Sequence, residues 1–86
     1  MQEKAGGPKR KWQQRRDEPY VARMRELRLK AGLTQGQVAR AIGTSQTMYA
    51  RYERGASELP IRHLIRLADY YGVSTDYILC RTDQIK

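Results

Sequence analysis

Residues 34–55 read TQGQVARAIGTSQTMYARYERG, and this stretch decides the fold. It opens on Thr34, with Gln37 three residues on. That is the spacing of a capping box, in which each side chain satisfies an N–H left open at a helix start. Val38, Ala39 and Ile42 follow at helical spacing, and Gly43 stands where a helix stops. Ser45 then offers a second N-cap, Tyr49 and Tyr52 share one face, and Gly55 ends the run. The pattern predicts a helix over 35–42, a tight turn at Gly43-Thr44 and a second helix over 46–54. Glycine at 43 permits the positive φ that lets the second helix leave steeply across the first.

Helical spacing continues on both sides. Val21, Met24 and Leu27 define the buried seam of a helix over about 20–31, which Gly32 stops. A fourth helix is predicted over about 60–71, with Pro60 in its first turn, where a missing N–H costs nothing. Its apolar face reads Ile61, Leu64, Ile65, Ala68 and Tyr71, and Gly72 closes it. A short fifth helix follows Ser74, with Tyr77, Ile78 and Leu79 turned to the core. No alternating run is long enough for a strand. The expectation is an all-α, compact five-helix domain.

Composition narrows the function. The chain has 86 residues, room for one domain, with 17 Lys+Arg against 9 Asp+Glu and a formal net charge of +8. A balance this basic suits a polyanionic partner, nucleic acid or an anionic surface. No apolar run approaches the roughly 20 residues of a membrane span, and no signal-peptide core is present, so a cytoplasmic protein without a membrane partner is expected. Cys80 is the single cysteine, which excludes an internal disulfide and a cysteine-based zinc site. His63 has no second ligand at metal spacing. There is no nucleophile–base set, phosphate-binding glycine loop or convergent carboxylate pair, so neither an enzyme nor a cofactor is expected.

Residues 1–19 read as a flexible basic arm. Lys9, Arg10, Lys11, Arg15 and Arg16 crowd positions 9–16 without an aliphatic residue, and such a segment cannot offset its ordering entropy by burial. The arm could follow phosphates or enter a minor groove, with Trp12 stacking on a base. The alternative is a solvated tail that adds only non-specific attraction. Residues 20–80 form the domain, basic in their own right, and 81–86 a C-terminal tail.

Two charges fall on buried faces. Arg28 lies four residues after Met24 on the seam of the first helix, and Glu53 four after Tyr49 on the inner side of the third. An unpaired buried charge costs several kcal/mol. The economical arrangement is a pair, Arg28 with Glu53, bracing the first helix to the third; the alternative is two separately solvated charges.

The segment Leu33-Thr34-Gln35-Gly36-Gln37-Val38-Ala39-Arg40-Ala41-Ile42-Gly43, then Tyr49 with Tyr52-Glu53-Arg54-Gly55, resembles the Cro/C1-type (XRE) helix-turn-helix family. The likeness continues through Leu64-Ile65-Arg66-Leu67-Ala68-Asp69-Tyr70-Tyr71-Gly72-Val73-Ser74 and covers about residues 20–80. It implies a lambda-repressor-like fold and an ion pair between the residues at 28 and 53. It further implies a transcriptional regulator, more often a repressor, bound to a double-stranded DNA operator as a homodimer, with the third helix in the major groove. The fifth helix and the tail would then make the dimer contact. Gln46, Thr47 and Arg51 would read base edges. Gln35, Arg54 and the backbone at Gly55 would hold phosphates. Met48 would sit at the core edge, and no small-molecule ligand is expected in so short a chain.

Two features depart from the family pattern. Gly36 stands in the first turn of the second helix, where a good helix former is usual, at about 1 kcal/mol of propensity. Tyr49 and Tyr52 replace aliphatic residues, with hydroxyls either at the surface or reaching a phosphate. Two further readings stay open: an antitoxin-like interaction module that also binds DNA, and a non-specific nucleic-acid binder driven by the arm.

Overall fold

Where a helix begins in this chain, a side-chain oxygen or a proline usually deals with the open N–H groups. The computed structural model describes residues 18–86. Helix α1 (Pro19–Lys30) starts on a proline after Glu18. Helix α2 (Gln35–Ile42) carries the full capping box: Gln37 N donates to Thr34 Oγ1 at 3.1 Å and Thr34 N donates to Gln37 Oε1 at 2.8 Å. Helix α3 (Gln46–Arg54) is capped by Ser45, whose Oγ accepts from Met48 N at 3.1 Å. Helix α4 (Ile61–Tyr71) begins one residue later than predicted, because Pro60 keeps an extended backbone with ψ 150° and serves as the N-cap. The short α5 (Thr75–Ile78) is capped by Ser74. Among the described residues there is no strand, and no helix is long and apolar enough to cross a membrane.

The core forms where α2 meets α3 and α4 crosses α2, with α1 against α3 and α5 closing α1 and α4. Met24, Val38, Ile42, Tyr49, Leu67 and Ile78 are fully buried in it. Each contributes roughly 1.5–3 kcal/mol by leaving water. Truncating Ile42 to alanine would forfeit about 2–5 kcal/mol, since the packed surroundings cannot collapse fully into the gap.

The face of α4 needs correction. Ile61 and Ile65, predicted as inward, are 74% and 48% exposed. The buried set is His63, Leu67 and Ala68, with Leu64 and Tyr71 packed at its edge. At about 100° per residue, this is a rotation of about 60° from the predicted stripe. The cause is His63, 3% exposed, which a polar–apolar reading assigns to water. Its Nδ1 shares a 3.2 Å hydrogen bond with the hydroxyl of buried Tyr52, so it can be buried at little cost.

The C-terminal residues turn back on the bundle. Ser74 N donates to Ile85 O at 2.8 Å, and Arg23 of α1 donates to Tyr77 O at 2.6 Å while its guanidinium lies 3.9 Å over the Tyr77 ring. Arg23 thereby ties α1 to α5 by a hydrogen bond and a cation–π contact.

Candidate nucleic-acid interface

Helices α2 and α3 are joined by three residues, the turn Gly43-Thr44 and the N-cap Ser45. Gly43 takes φ +79°, a conformation that strains any residue with a Cβ. Its N–H donates to Arg40 O at 3.2 Å and the next N–H, of Thr44, to Ala39 O at 2.9 Å, so two of the last carbonyls of α2 are satisfied. Arg66 reaches over from α4 and donates to Ile42 O at 3.1 Å. A Cβ added at Gly43 would lie 3.2 Å from that guanidinium. The turn is therefore held from inside by its own hydrogen bonds and from outside by α4.

Glu53 fixes the far end of α3. Its carboxylate accepts from Arg28 Nε at 2.7 Å and Nη2 at 3.1 Å, from the Tyr49 hydroxyl at 2.6 Å and from Gln35 Nε2 at 3.2 Å. Arg28 also donates to Leu33 O at 3.0 Å. One carboxylate thus joins α1, α2 and α3. Burial alone would raise the Glu53 carboxyl, but the hydrogen bonds from Arg28, Tyr49 and Gln35 outweigh it and hold the group below its ordinary value. The bond to Glu53 raises Arg28 against the opposing effect of burial. Burial, then the bond to Glu53, pushes the Tyr49 phenol far upward, so it remains a donor at any physiological pH.

The residues at the ends of these helices have distinct placements. Gln46 and Thr47 are exposed at the capped start of α3, and Gln46 lines an open polar groove together with Thr34, Gly36, Arg40 and Thr44. Gln35 is half-buried; with one amide hydrogen directed to Glu53, its second is left for another acceptor. Arg51 is not splayed into solvent: its Nε donates to Ser57 Oγ at 2.8 Å and Nη2 to Ala56 O at 3.4 Å, bracing the loop after α3. Arg54 is exposed, and Gly55 ends the helix at φ +74°. Met48 is half-buried and packs against the core. The hydroxyls of Tyr49 and Tyr52 are neither at the surface nor open to a phosphate, since Glu53 and His63 engage them. Lys9, Arg10, Lys11, Trp12, Arg15 and Arg16 lie outside the described residues.

Sequence reasoning missed three contributors. Arg66 caps the turn, Ser57 holds Arg51, and Gln35 joins the Glu53 carboxylate. The first two depend on how α4 and the loop are placed in space and have no local signature. The third had one: the four-bond capacity of a buried carboxylate exceeds what a single arginine supplies.

This arrangement of helices recurs in known proteins. A family model described as helix-turn-helix matches residues 24–78. An uncharacterized HTH-type transcriptional regulator of Bacillus subtilis (strain 168), YobD, is 42% identical over 64 residues, which is 74% of this chain and 57% of that protein. The cryptic phage CTXphi transcriptional repressor RstR of Vibrio cholerae is 33% identical over 54 residues, 63% of this chain and 49% of RstR. The chain thus spans about half the length of these curated relatives. Among solved structures, the P22 c2 repressor in complex with synthetic operator 9T is similar at TM-score 0.65 and 27% identity, over 70% of this chain and 91% of that one. With the family model spanning α1 to α5 and the turn geometry to match, the chain belongs to the Cro/C1-type helix-turn-helix family.

Proposed function

We propose that this chain is a sequence-specific DNA-binding transcriptional regulator that acts as a repressor and works in the cytoplasm. The observation that carries the reading is the start of α3: a capped, solvent-facing helix end presenting Gln46 and Thr47, anchored behind by the Glu53 hub. Helix α3 enters the major groove, where the glutamine amide pairs with an adenine edge and Thr47 meets a base or a thymine methyl. Gln35 gives its second amide hydrogen to a phosphate, while Arg54 and the backbone at Gly55 grip the same strand. Arg51 reads a guanine through the guanidinium hydrogens that its bonds to Ser57 and Ala56 leave available. The P22 c2 relative is itself a repressor seen with a synthetic operator, which supports the assignment. Two copies bind one operator, their α3 helices about 34 Å apart, through the α5 region and the tail. The arm of residues 1–19 supplies phosphate contacts from Lys9, Arg10, Lys11, Arg15 and Arg16.

Selection of bound sites from a random double-stranded pool tests this. The expected result is a symmetric motif with half-sites one helical turn apart. Equal recovery of all sequences, with affinity following salt alone, would identify a non-specific binder instead. Sedimentation on the selected site tests the dimer; one copy per site would contradict it.

A further inference from the structure

Gly36 has no obvious place in a short helix, where it costs about 1 kcal/mol relative to alanine. Its φ is not in the left-handed region, so backbone geometry does not demand glycine. Space does. A Cβ built at Gly36 would lie 3.2 Å from Gln46 Oε1 and 3.7 Å from Gln46 Cδ. The carboxamide of Gln46, the first residue of α3, crowds the space that a side chain on the second residue of α2 would take.

Neither backbone can retreat from that contact. The capping box between Thr34 and Gln37 straddles Gly36 with bonds of 3.1 and 2.8 Å. Ser45 caps the first turn of α3 at 3.1 Å, and the turn between the helices is pinned by Arg66. The one mobile element at the contact is the end of the Gln46 side chain.

We infer that Gly36 is a specificity-determining residue, which sets where the Gln46 carboxamide lies and therefore which base edge it reads. A methyl at 36 pushes the carboxamide off α2 by a few tenths of an ångström or into another rotamer. Hydrogen-bonded base readout does not tolerate such a shift without loss. Gly36 touches no base itself; it acts through Gln46. This inference rests on the proposed reading of α3 as the recognition helix.

The test compares wild type, Gly36→Ala, Gln46→Ala and the double variant by selection from a random DNA pool and by titration on the selected site. Thermal melts provide a control. Gly36→Ala is expected to fold and to melt no lower than wild type, since alanine favours the helix. It should change base preference at the half-site position that Gln46→Ala also changes, with about tenfold loss of discrimination there. In the Gln46→Ala background, the second change should have no further effect on preference. An unchanged preference in Gly36→Ala, or an effect that persists without the glutamine, would overturn the inference while leaving a sequence-specific wild type intact. A wild type without any sequence preference would instead remove the proposed function, and this inference with it.

Discussion

Replacing Glu53 with glutamine keeps the side chain's size and removes its charge. The side chains of Arg28 and Glu53 are 13% and 4% exposed, so the substitution leaves a largely buried guanidinium facing a neutral amide. Removing one partner of a buried pair costs about 3–5 kcal/mol. The replacement keeps one acceptor oxygen, which places the expected loss near the lower end, about 3 kcal/mol. A domain of this length has about 3–10 kcal/mol in total. At about 4–8 °C per kcal/mol, the melt should fall by roughly 12–24 °C. Urea titration followed by far-ultraviolet circular dichroism reads the change, with TMAO added to keep a folded baseline. The acid limb is a second reading. The folded-state value of Glu53 is depressed, so its contribution is full above the ordinary value of 4.5 and is lost as pH falls through the lowered folded value. The gap between wild type and Glu53→Gln should therefore narrow on acidification. The double variant Arg28→Met, Glu53→Met should lose less than the sum of the single Met changes, because it leaves no orphaned charge. A Glu53→Gln loss under about 1 kcal/mol at neutral pH with unchanged m, the size of a surface pair, would refute the hub.

Four further outcomes can be checked on the same protein. Burial, and then the charges of Arg62 and Arg66, lower His63 from 6.5, so stability should be full above that value and decline as pH falls through it towards the lowered folded value; His63→Gln should flatten that limb of a melt-versus-pH curve. The Tyr71 hydroxyl is buried with no hydrogen-bond partner among the described residues, and burial pushes it up to about 12, so Tyr71→Phe should be neutral or stabilising by up to about 1 kcal/mol in urea titration. Gly43→Ala meets both a positive φ and the Arg66 guanidinium, and should cost about 1–3 kcal/mol by the same measurement. Ser57→Ala releases Arg51 from its brace; filter binding should show a smaller loss on the preferred site than Arg51→Ala, which should cost roughly 1–3 kcal/mol there and little on random DNA.

Features set by a few neighbouring residues were legible before the structure. The spans of α2 and α3, their caps and their stops follow from Thr34, Gln37, Gly43, Ser45 and Gly55, because capping is a contact between residues three or four apart. The pairing of Arg28 with Glu53 followed from placing two charges on buried faces, and its observed geometry is bidentate. What could not be read depends on a distant partner. His63 is inward because Tyr52, eleven residues away, supplies its hydrogen bond. Ile61 and Ile65 are outward for the same reason, despite a periodicity that fits a buried stripe equally well. Gly36 weakens α2 by propensity alone, and the reason for it lies on the next helix, where the Gln46 carboxamide crowds the Cβ position. Periodicity fixes a helix face only where no polar residue competes for burial; on α4 the Tyr52 partner brings His63 inward and turns the isoleucines out.

The orientation of α3 illustrates how much rests on those partners. Apolar contacts are non-directional and tolerate a small roll of one helix against another. Helix α3 is instead held by polar ties at distinct points: Glu53 to α1 and α2 near its end, Tyr52 to His63 of α4 along its inner face, and Arg66 at the turn before its start. A hydrogen bond fails over a few tenths of an ångström and a few tens of degrees, so these ties fix roll and height together. Gln46 and Thr47 gain their placement from that rigidity, since both leave α3 within its first turn. The small core and the polar ties therefore divide the labour: burial makes the bundle fold, and directional bonds decide which side chains the start of α3 presents. Substitutions in the core should thus lower stability while sparing base preference, whereas loss of a tie to α3 should alter preference even in protein that remains folded.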